Sequence, residues 1–135
     1  MTTASHRLKV LVVDDEKWIA DSLVLILKHN GYDASAVYSG EESVNAAAAL
    51  APDVLITDVI MGAMNGVAAA LEIRKLLPRC EILLVSGNLS TGQLLADAQS
   101  AGHLFEALAK PVHPQVLLER LSLVQPPPNP SLAQA

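Results

Sequence analysis

The fold of this chain is indicated first by the stretch Val54-Leu55-Ile56-Thr57-Asp58, a short apolar run that ends in an acidic residue. The apolar run at residues 10–13 ends in the same way, in Asp14-Asp15, and a third short segment precedes Lys110. Short runs of this kind are typical of parallel strands, because a parallel sheet is covered on both faces. The carboxyl ends of such strands meet at one edge, where ligands bind. The sequence therefore predicts that three carboxylates and a lysine share one sheet edge.

Segments with strand character alternate along the chain with segments whose apolar residues recur at helical spacing. This alternation predicts βαβ units and a parallel sheet. We expect an α/β fold of the flavodoxin-like, doubly wound type, with a five-stranded parallel sheet in the order 2-1-3-4-5 and five helices. Gly31 is expected to end the first helix and Pro114 to begin the last. The predicted strands are residues 8–13, 34–38, 54–57, 81–85 and 105–109, and the predicted helices are residues 16–30, 41–50, 65–77, 91–101 and 114–124.

Length and composition limit the classes of protein that fit. A chain of 135 residues is the size of one domain, and we assign that domain to residues 1–124. The net charge of −5 and the lack of a basic run argue against direct DNA binding. The single cysteine and the absence of a long apolar stretch predict a cytoplasmic protein that does not insert into membranes. Residues 125–135 contain four prolines, and we predict a disordered, solvated tail, with a partner-binding segment as the alternative.

The acidic residues predict a metal site. Asp14 and Asp15 follow the first predicted strand and Asp58 ends the third, and these strands are neighbours in the expected order. Three carboxylates brought together repel one another unless a cation joins them, and Mg²⁺ accepts carboxylate oxygens together with waters and phosphate oxygens. The alternative for the acidic pair is a role at a helix amino terminus, where acids favour the helix dipole.

The same edge could support phosphoryl transfer. A carboxylate can attack phosphorus and form an acyl phosphate, a reaction that depends on positioning and charge neutralisation. Asp58 is the best candidate for this nucleophile because it lies between the acidic pair and Lys110. Lys110 would pair with an oxygen of Asp58 or of the phosphoryl group, and the Ser86 hydroxyl, at the end of the fourth strand, could donate to a phosphoryl oxygen. The alternatives are a turn aspartate, a surface lysine and an ordinary strand-end serine.

Taken together, these residues resemble the receiver domain of bacterial two-component response regulators, over about residues 8–124. The resemblance rests on the order and spacing of Asp14-Asp15, Asp58 followed by Met61 and Gly66, Ser86, and Lys110-Pro111.

The resemblance implies a role for each residue of this set. Asp58 would be the phosphoacceptor for a sensor histidine kinase or a phosphotransfer protein. Asp15 and Asp58 would bind Mg²⁺ through their side chains, and Ile60 through its backbone carbonyl. Asp14 would bind the metal through water or hold the geometry of the site. Ser86 would be the hydroxyl that moves toward the phosphate, and Lys110 the lysine that senses it.

The chain departs from the family pattern at several positions. Gly62 replaces the usual proline after the motif methionine, and Gly87 replaces the usual alanine after the switch hydroxyl. Ala107 occupies the position where receivers commonly carry an aromatic residue, and Phe105, on the same face of the strand by parity, is the expected substitute.

Two further positions, two residues after the phosphoacceptor and two after the switch hydroxyl, influence phosphate lifetime in the family. They are Ile60 and Asn88 here. Ile60 cannot orient an attacking water through a hydrogen bond, so we expect slow autodephosphorylation.

These features predict a single-domain response regulator, because only about eleven residues follow the expected domain. Its output would be phosphorylation-dependent contact with a downstream protein, homodimerisation, or relay of the phosphoryl group. It would assist its own phosphorylation and dephosphorylation without being an enzyme in the usual sense. The alternatives are a receiver fragment of a larger regulator, a phosphorylation-independent scaffold of the same fold, and a Mg²⁺-dependent phosphatase. The phosphatase is disfavoured because its second aspartate would stand where this chain has Ile60.

Overall fold

The computed structural model describes residues 7–59, 65–86, 106–110 and 112–124. Its central feature is a five-stranded sheet in the order β2-β1-β3-β4-β5, in which every neighbouring pair is parallel. The predicted strand order and fold class are thereby confirmed. The strands are β1 (Lys9–Val13), β2 (Asp33–Val37), β3 (Val54–Asp58), β4 (Glu81–Ser86) and β5 (Glu106–Ala109). The helices in the described residues are α1 (Lys17–His29), α2 (Gly40–Leu50), α3 (Gly66–Leu76) and α4 (Pro114–Leu121).

The apolar residues of the strands pack on both faces of the sheet, as the parallel arrangement requires. On one face, Leu11, Val13 and Leu55 belong to a buried cluster shared with residues of α2 and α3. On the other, Val12 and Ile56 belong to a second cluster shared with residues of α1 and α4. Alternate strand residues therefore serve opposite faces, and β1 and β3 are held rigidly from both sides.

Local sequence signals account for the helix ends. The Ser39 side chain accepts a hydrogen bond from the Glu42 N–H at 3.0 Å and begins α2, and the Asn65 side chain accepts one from the Ala68 N–H at 2.8 Å and begins α3. Gly31 follows α1 with a φ of +92°, the left-handed conformation that favours glycine at the end of a helix. Pro114 lies in the first turn of α4.

Several observed boundaries differ from the predicted ones. The third and fourth strands each extend one residue further, so that Asp58 and Ser86 belong to the sheet itself. The last helix ends at Leu121 rather than Val124, where the Ser122 hydroxyl donates to the Glu119 carbonyl oxygen at 2.6 Å. The predicted helix at 91–101 and the tail at 125–135 lie outside the described residues. None of the helices in the described ranges is long and apolar enough to cross a membrane.

Candidate functional site

Three carboxylates lie together at the carboxyl edge of the sheet. Val13 of β1 pairs with Thr57 of β3, so the next residues, Asp14 and Asp58, are side by side. Asp14 and Asp58 are buried, whereas Asp15 is exposed. Each of the three offers a carboxylate oxygen, and these oxygens lie within 4.8 Å of one another. The predicted acidic cluster is therefore present in the structure.

Lys110 follows β5 and reaches across β4 to the acidic cluster. Its Nζ lies 3.0 Å from Asp58 Oδ2 and 3.4 Å from Asp14 Oδ2. The Lys110 backbone N–H donates to the Ser86 carbonyl oxygen at 2.9 Å, which fixes the point where the lysine leaves the sheet. One ammonium group thus links two of the three carboxylates, and the four residues come from three strand ends, those of β1, β3 and β5, as the strand-end argument predicted.

Burial and charge perturb the titration of this group of residues. Burial raises the pKa of Asp14, although the hydrogen bond from the Glu16 N–H and the charge of Lys110 act in the opposite direction. Burial lowers the pKa of Lys110, but the hydrogen bond and charge of Asp58, together with Asp14, outweigh that effect, and the pKa lies above its usual value. Lys110 is therefore a cation at all ordinary pH values, and it offsets part of the negative charge of the cluster.

Hydrogen bonds orient Asp14 before any ligand binds. Its Oδ1 accepts from the Glu16 N–H at 2.9 Å, and its Oδ2 faces Lys110. Both oxygens thus have a fixed direction, one set by the turn between β1 and α1 and the other by Lys110. This geometry is consistent with a residue that holds the site in shape, one of the two roles that the resemblance implied for Asp14.

Gly66 brings α3 into direct contact with the end of β3. The Gly66 N–H donates to the Val59 carbonyl oxygen at 2.7 Å. A Cβ atom added at Gly66 would overlap the Asp58 carbonyl oxygen. The same oxygen accepts a hydrogen bond from the Thr57 hydroxyl at 3.0 Å. Glycine is thus required for the backbone of Asp58 to keep its position, a role that its place in the sequence motif did not reveal.

Other predicted residues divide into two groups. Ser86 ends β4 and pairs with Ala109 of β5, at the edge where the carboxylates lie. Ala107 is exposed on β5, so the position expected to carry an aromatic residue presents only a methyl group. The residues that lie outside the described ranges are Ile60, Met61, Gly62, Gly87, Asn88, Phe105 and Pro111.

A cavity of about 600 Å³ adjoins the carboxylates, between α1 and α4, and was not predicted. Asp14, Asp58 and Lys110 line one end, and apolar residues of α1, the sheet and α4 line the rest. Trp18, at the start of α1, lies in its wall and is 70% exposed. The only signal in the sequence was a tryptophan three residues after Asp15.

The residues of the acidic cluster fit a divalent cation. Mg²⁺ prefers oxygen ligands and retains several waters, so a few carboxylates on an open edge suffice. Asp15 and Asp58 could supply ligand oxygens, with Asp14 beside them. The burial of Asp14 next to another carboxylate is unfavourable without a compensating positive charge, and Lys110 provides only one.

Comparisons with known proteins agree with this site. The family model described as the response regulator receiver domain matches residues 10–122. A CheY-like receiver domain protein from Methanospirillum hungatei JF-1 is 26% identical, with a TM-score of 0.79, over 87% of this chain and 92% of that chain. The chemotaxis protein CheY4 of Vibrio cholerae is 28% identical, also with a TM-score of 0.79, over 89% of this chain and 100% of that chain. A receiver domain protein from Clostridium thermocellum is 28% identical, with a TM-score of 0.73, over 87% and 99%.

The chain therefore belongs to the response regulator receiver domain family. The match begins within β1 and includes the three carboxylates of the acidic cluster and Lys110. The resemblance that the sequence motifs suggested is confirmed, and so is the α/β fold with the 2-1-3-4-5 sheet.

Proposed function

We propose that this receiver is phosphorylated on Asp58, in a reaction that requires Mg²⁺, by a sensor histidine kinase or a phosphotransfer protein. The observation that carries the proposal is the contact of Lys110 Nζ with Asp58 Oδ2 at 3.0 Å, inside a cluster of three carboxylates. A metal-joined acidic cluster with one fixed cation has the charge distribution that a transferring phosphoryl group needs.

Each residue of the site has a separate role in the proposed phosphoryl transfer. An Asp58 carboxylate oxygen attacks phosphorus, the bond from phosphorus to the donor histidine nitrogen breaks, and an acyl phosphate forms. Lys110 lies where it can exchange its contact with Asp58 for one with a phosphoryl oxygen. The Ser86 hydroxyl is proposed to donate to another phosphoryl oxygen. Mg²⁺, held by Asp15, Asp58 and the Ile60 carbonyl, would neutralise the remaining charge.

The consequence of phosphorylation is proposed to be a change in binding. A phosphoryl group brings extra negative charge to an edge that already holds three carboxylates, and this biases an existing equilibrium between conformations. The output would then be contact with a downstream protein, a homodimer, or onward relay of the phosphoryl group, in the cytoplasm and without direct DNA contact. The protein would promote its own phosphorylation and dephosphorylation and act on no other substrate.

The test is incubation with Mg²⁺ and acetyl phosphate, followed by intact mass spectrometry. We expect one phosphoryl adduct in the wild type and none in Asp58→Asn. Asp53→Asn is the matched control, because Asp53 precedes the same strand at the opposite edge of the sheet. Mg²⁺ binding without an adduct would instead favour a phosphorylation-independent scaffold, and an adduct retained in Asp58→Asn would exclude Asp58 as the acceptor.

A further inference from the structure

The cavity beside the carboxylates is one end of an open groove between α1 and α4, here called the α1–α4 groove. Its floor is the sheet, its walls are the two helices, and its volume is about 600 Å³. Except at the carboxylate end, its lining is almost entirely aliphatic or aromatic. The apolar residues of the walls and floor include Val12, Trp18, Ile19, Leu23, Ile56 and Leu117.

The groove leaves apolar surface without cover in the described residues. Trp18, which lines the groove, is 70% exposed. Contiguous exposed apolar surface, here an aromatic side chain beside an apolar groove, is typical of a surface that binds another segment. A volume of this size is enough for several residues of an extended peptide.

The last described residue, Val124, lies on the same face of the sheet as the groove. Val124 is half-buried and packs on the cluster that includes Val12 and Ile56, on the sheet face that α1 and α4 cover. Residues 125–135 therefore begin at the far end of α4 from the carboxylates. Eleven residues in the polyproline conformation span roughly 34 Å, whereas the eight residues of α4 span roughly 12 Å. The segment is long enough to return along the whole groove to Trp18.

The composition of this segment matches the lining. Residues 125–135 contain four prolines and Leu132. None of their side chains is charged. Prolines are already restricted in the unbound chain, so docking them costs little conformational entropy, and proline-rich segments are recognised by grooves that present aromatic side chains. The side chains of the segment add no negative charge beside the carboxylate end.

We propose that residues 125–135 fold back and occupy the α1–α4 groove, with their prolines and Leu132 against its aliphatic walls and Trp18. The occupant is thus the chain itself rather than a second copy or another protein. This inference goes beyond the proposed phosphorylation and does not depend on it.

Disulfide trapping tests the proposal directly. Ser22, which lines the groove, and Ser131, in the tail, are replaced by cysteine in a Cys80→Ala background. The matched control pairs Ser131→Cys with Glu72→Cys, on α3 at the opposite face of the sheet. We expect an intrachain disulfide to form roughly tenfold faster in the groove pair, because docking raises the effective concentration of the two thiols. Equal rates in the two pairs overturn the proposal, and a covalent dimer as the main product would assign the groove to a second copy.

Trp18 supplies a second readout that needs no cysteine. In the full chain, Leu132→Asp is expected to detach the tail, shift Trp18 emission to longer wavelength and increase its quenching by acrylamide about twofold. Ser131→Asp adds the same charge one position away and is expected to change both signals less. Circular dichroism checks that both variants remain folded. The proposal is wrong if Leu132→Asp leaves the emission and quenching of Trp18 unchanged.

Discussion

At the scale of single residues, Lys110 competes with a metal ion for the same carboxylates. Its ammonium lies 3.0 Å from Asp58 and 3.4 Å from Asp14, so it already neutralises charge that Mg²⁺ would neutralise. We expect Lys110→Met to bind Mg²⁺ about tenfold more tightly, which corresponds to ~1.4 kcal/mol, while its phosphorylation by acetyl phosphate falls. Titration followed by Trp18 fluorescence or calorimetry measures the affinity. Lys75→Met, at an exposed lysine of α3, is the control, and equal affinities in the two variants would contradict the argument.

The second prediction concerns Asp14 and the dependence of folding stability on pH. Burial raises its pKa, so the folded protein binds this proton more readily than the unfolded chain does. The stability that Asp14 contributes is therefore present at low pH and is lost as pH rises through the raised pKa. We expect Asp14→Asn to raise the melting temperature in EDTA at neutral pH, with a difference that shrinks toward acid pH. Asp33→Asn, at an exposed position of β2, serves as control. A lower melting temperature for Asp14→Asn at neutral pH would show that its hydrogen bonds outweigh its burial.

Gly66 and Gly31 are glycines for different reasons, lack of space at Gly66 and backbone conformation at Gly31. At Gly66 a Cβ would overlap the Asp58 carbonyl oxygen, whereas at Gly31 no atom lies within 4 Å and only the positive φ is unfavourable. We expect Gly66→Ala to cost about 2–3 kcal/mol and to slow phosphorylation of Asp58, because the end of β3 must shift. Gly31→Ala should cost about 1 kcal/mol and leave phosphorylation unchanged. Urea denaturation and the acetyl phosphate assay measure both effects, and equal behaviour of the two variants would remove the steric explanation.

The site residues differ in how far the sequence could predict them. Asp14, Asp58 and Lys110 were found because ionisable residues end short apolar runs, and the carboxyl ends of parallel strands share an edge. The contact of Gly66 with Asp58 depends on the distance between α3 and β3, which side-chain packing sets and no local pattern encodes. The double contact of Lys110 with two carboxylates likewise depends on how the lysine crosses β4.

At the scale of elements, two side chains accept backbone hydrogen bonds at the start of α2. Ser39 accepts from the Glu42 N–H at 3.0 Å, and Glu42 in turn accepts from the Tyr38 N–H at 3.0 Å. Replacing a serine cap by alanine costs about 1 kcal/mol, so we expect Ser39→Ala to lower the unfolding free energy by that amount. Glu41→Ala, at the neighbouring exposed position, is expected to change it by less than half as much. Urea denaturation of the two variants measures the difference, and equal losses would mean that the Ser39 cap contributes nothing specific.

The order of the strands could be predicted, but the space between helices could not. Right-handed crossovers and the alternation of strands and helices leave few arrangements for a five-stranded parallel sheet. The α1–α4 groove depends instead on how closely two helices approach over the sheet, which the packing of many side chains sets together. The predicted carboxyl ends of β3 and β4 are each one residue too short. Pairing with a neighbouring strand extends β3 through Asp58 and β4 through Ser86.

At the scale of the whole molecule, the acidic cluster and Cys80 lie at opposite ends of the strands. The carboxyl edge holds the acidic cluster, whereas Cys80 lies before β4 at the other edge, roughly 17–20 Å away by the length of the strand. Burial raises the pKa of the Cys80 thiol to about 12, so the thiolate is scarce in the folded protein at pH 8. Cys80 therefore reports on unfolding from a place that no ligand of the acidic cluster touches.

Because of this separation, the labelling of Cys80 can measure how much Mg²⁺ binding stabilises the folded protein. A ligand that binds only the folded state stabilises it by about 2.7 kcal/mol at a hundred times its dissociation constant, which lowers the population of the unfolded chain about a hundredfold. We expect the rate of Cys80 labelling by a thiol reagent at pH 8 to fall by about that factor when Mg²⁺ is added. In Asp58→Ala the rate should respond much less, because one carboxylate of the cluster is gone. If Mg²⁺ leaves the wild-type rate unchanged, Cys80 becomes exposed by a local opening near Pro78 rather than by unfolding of the sheet.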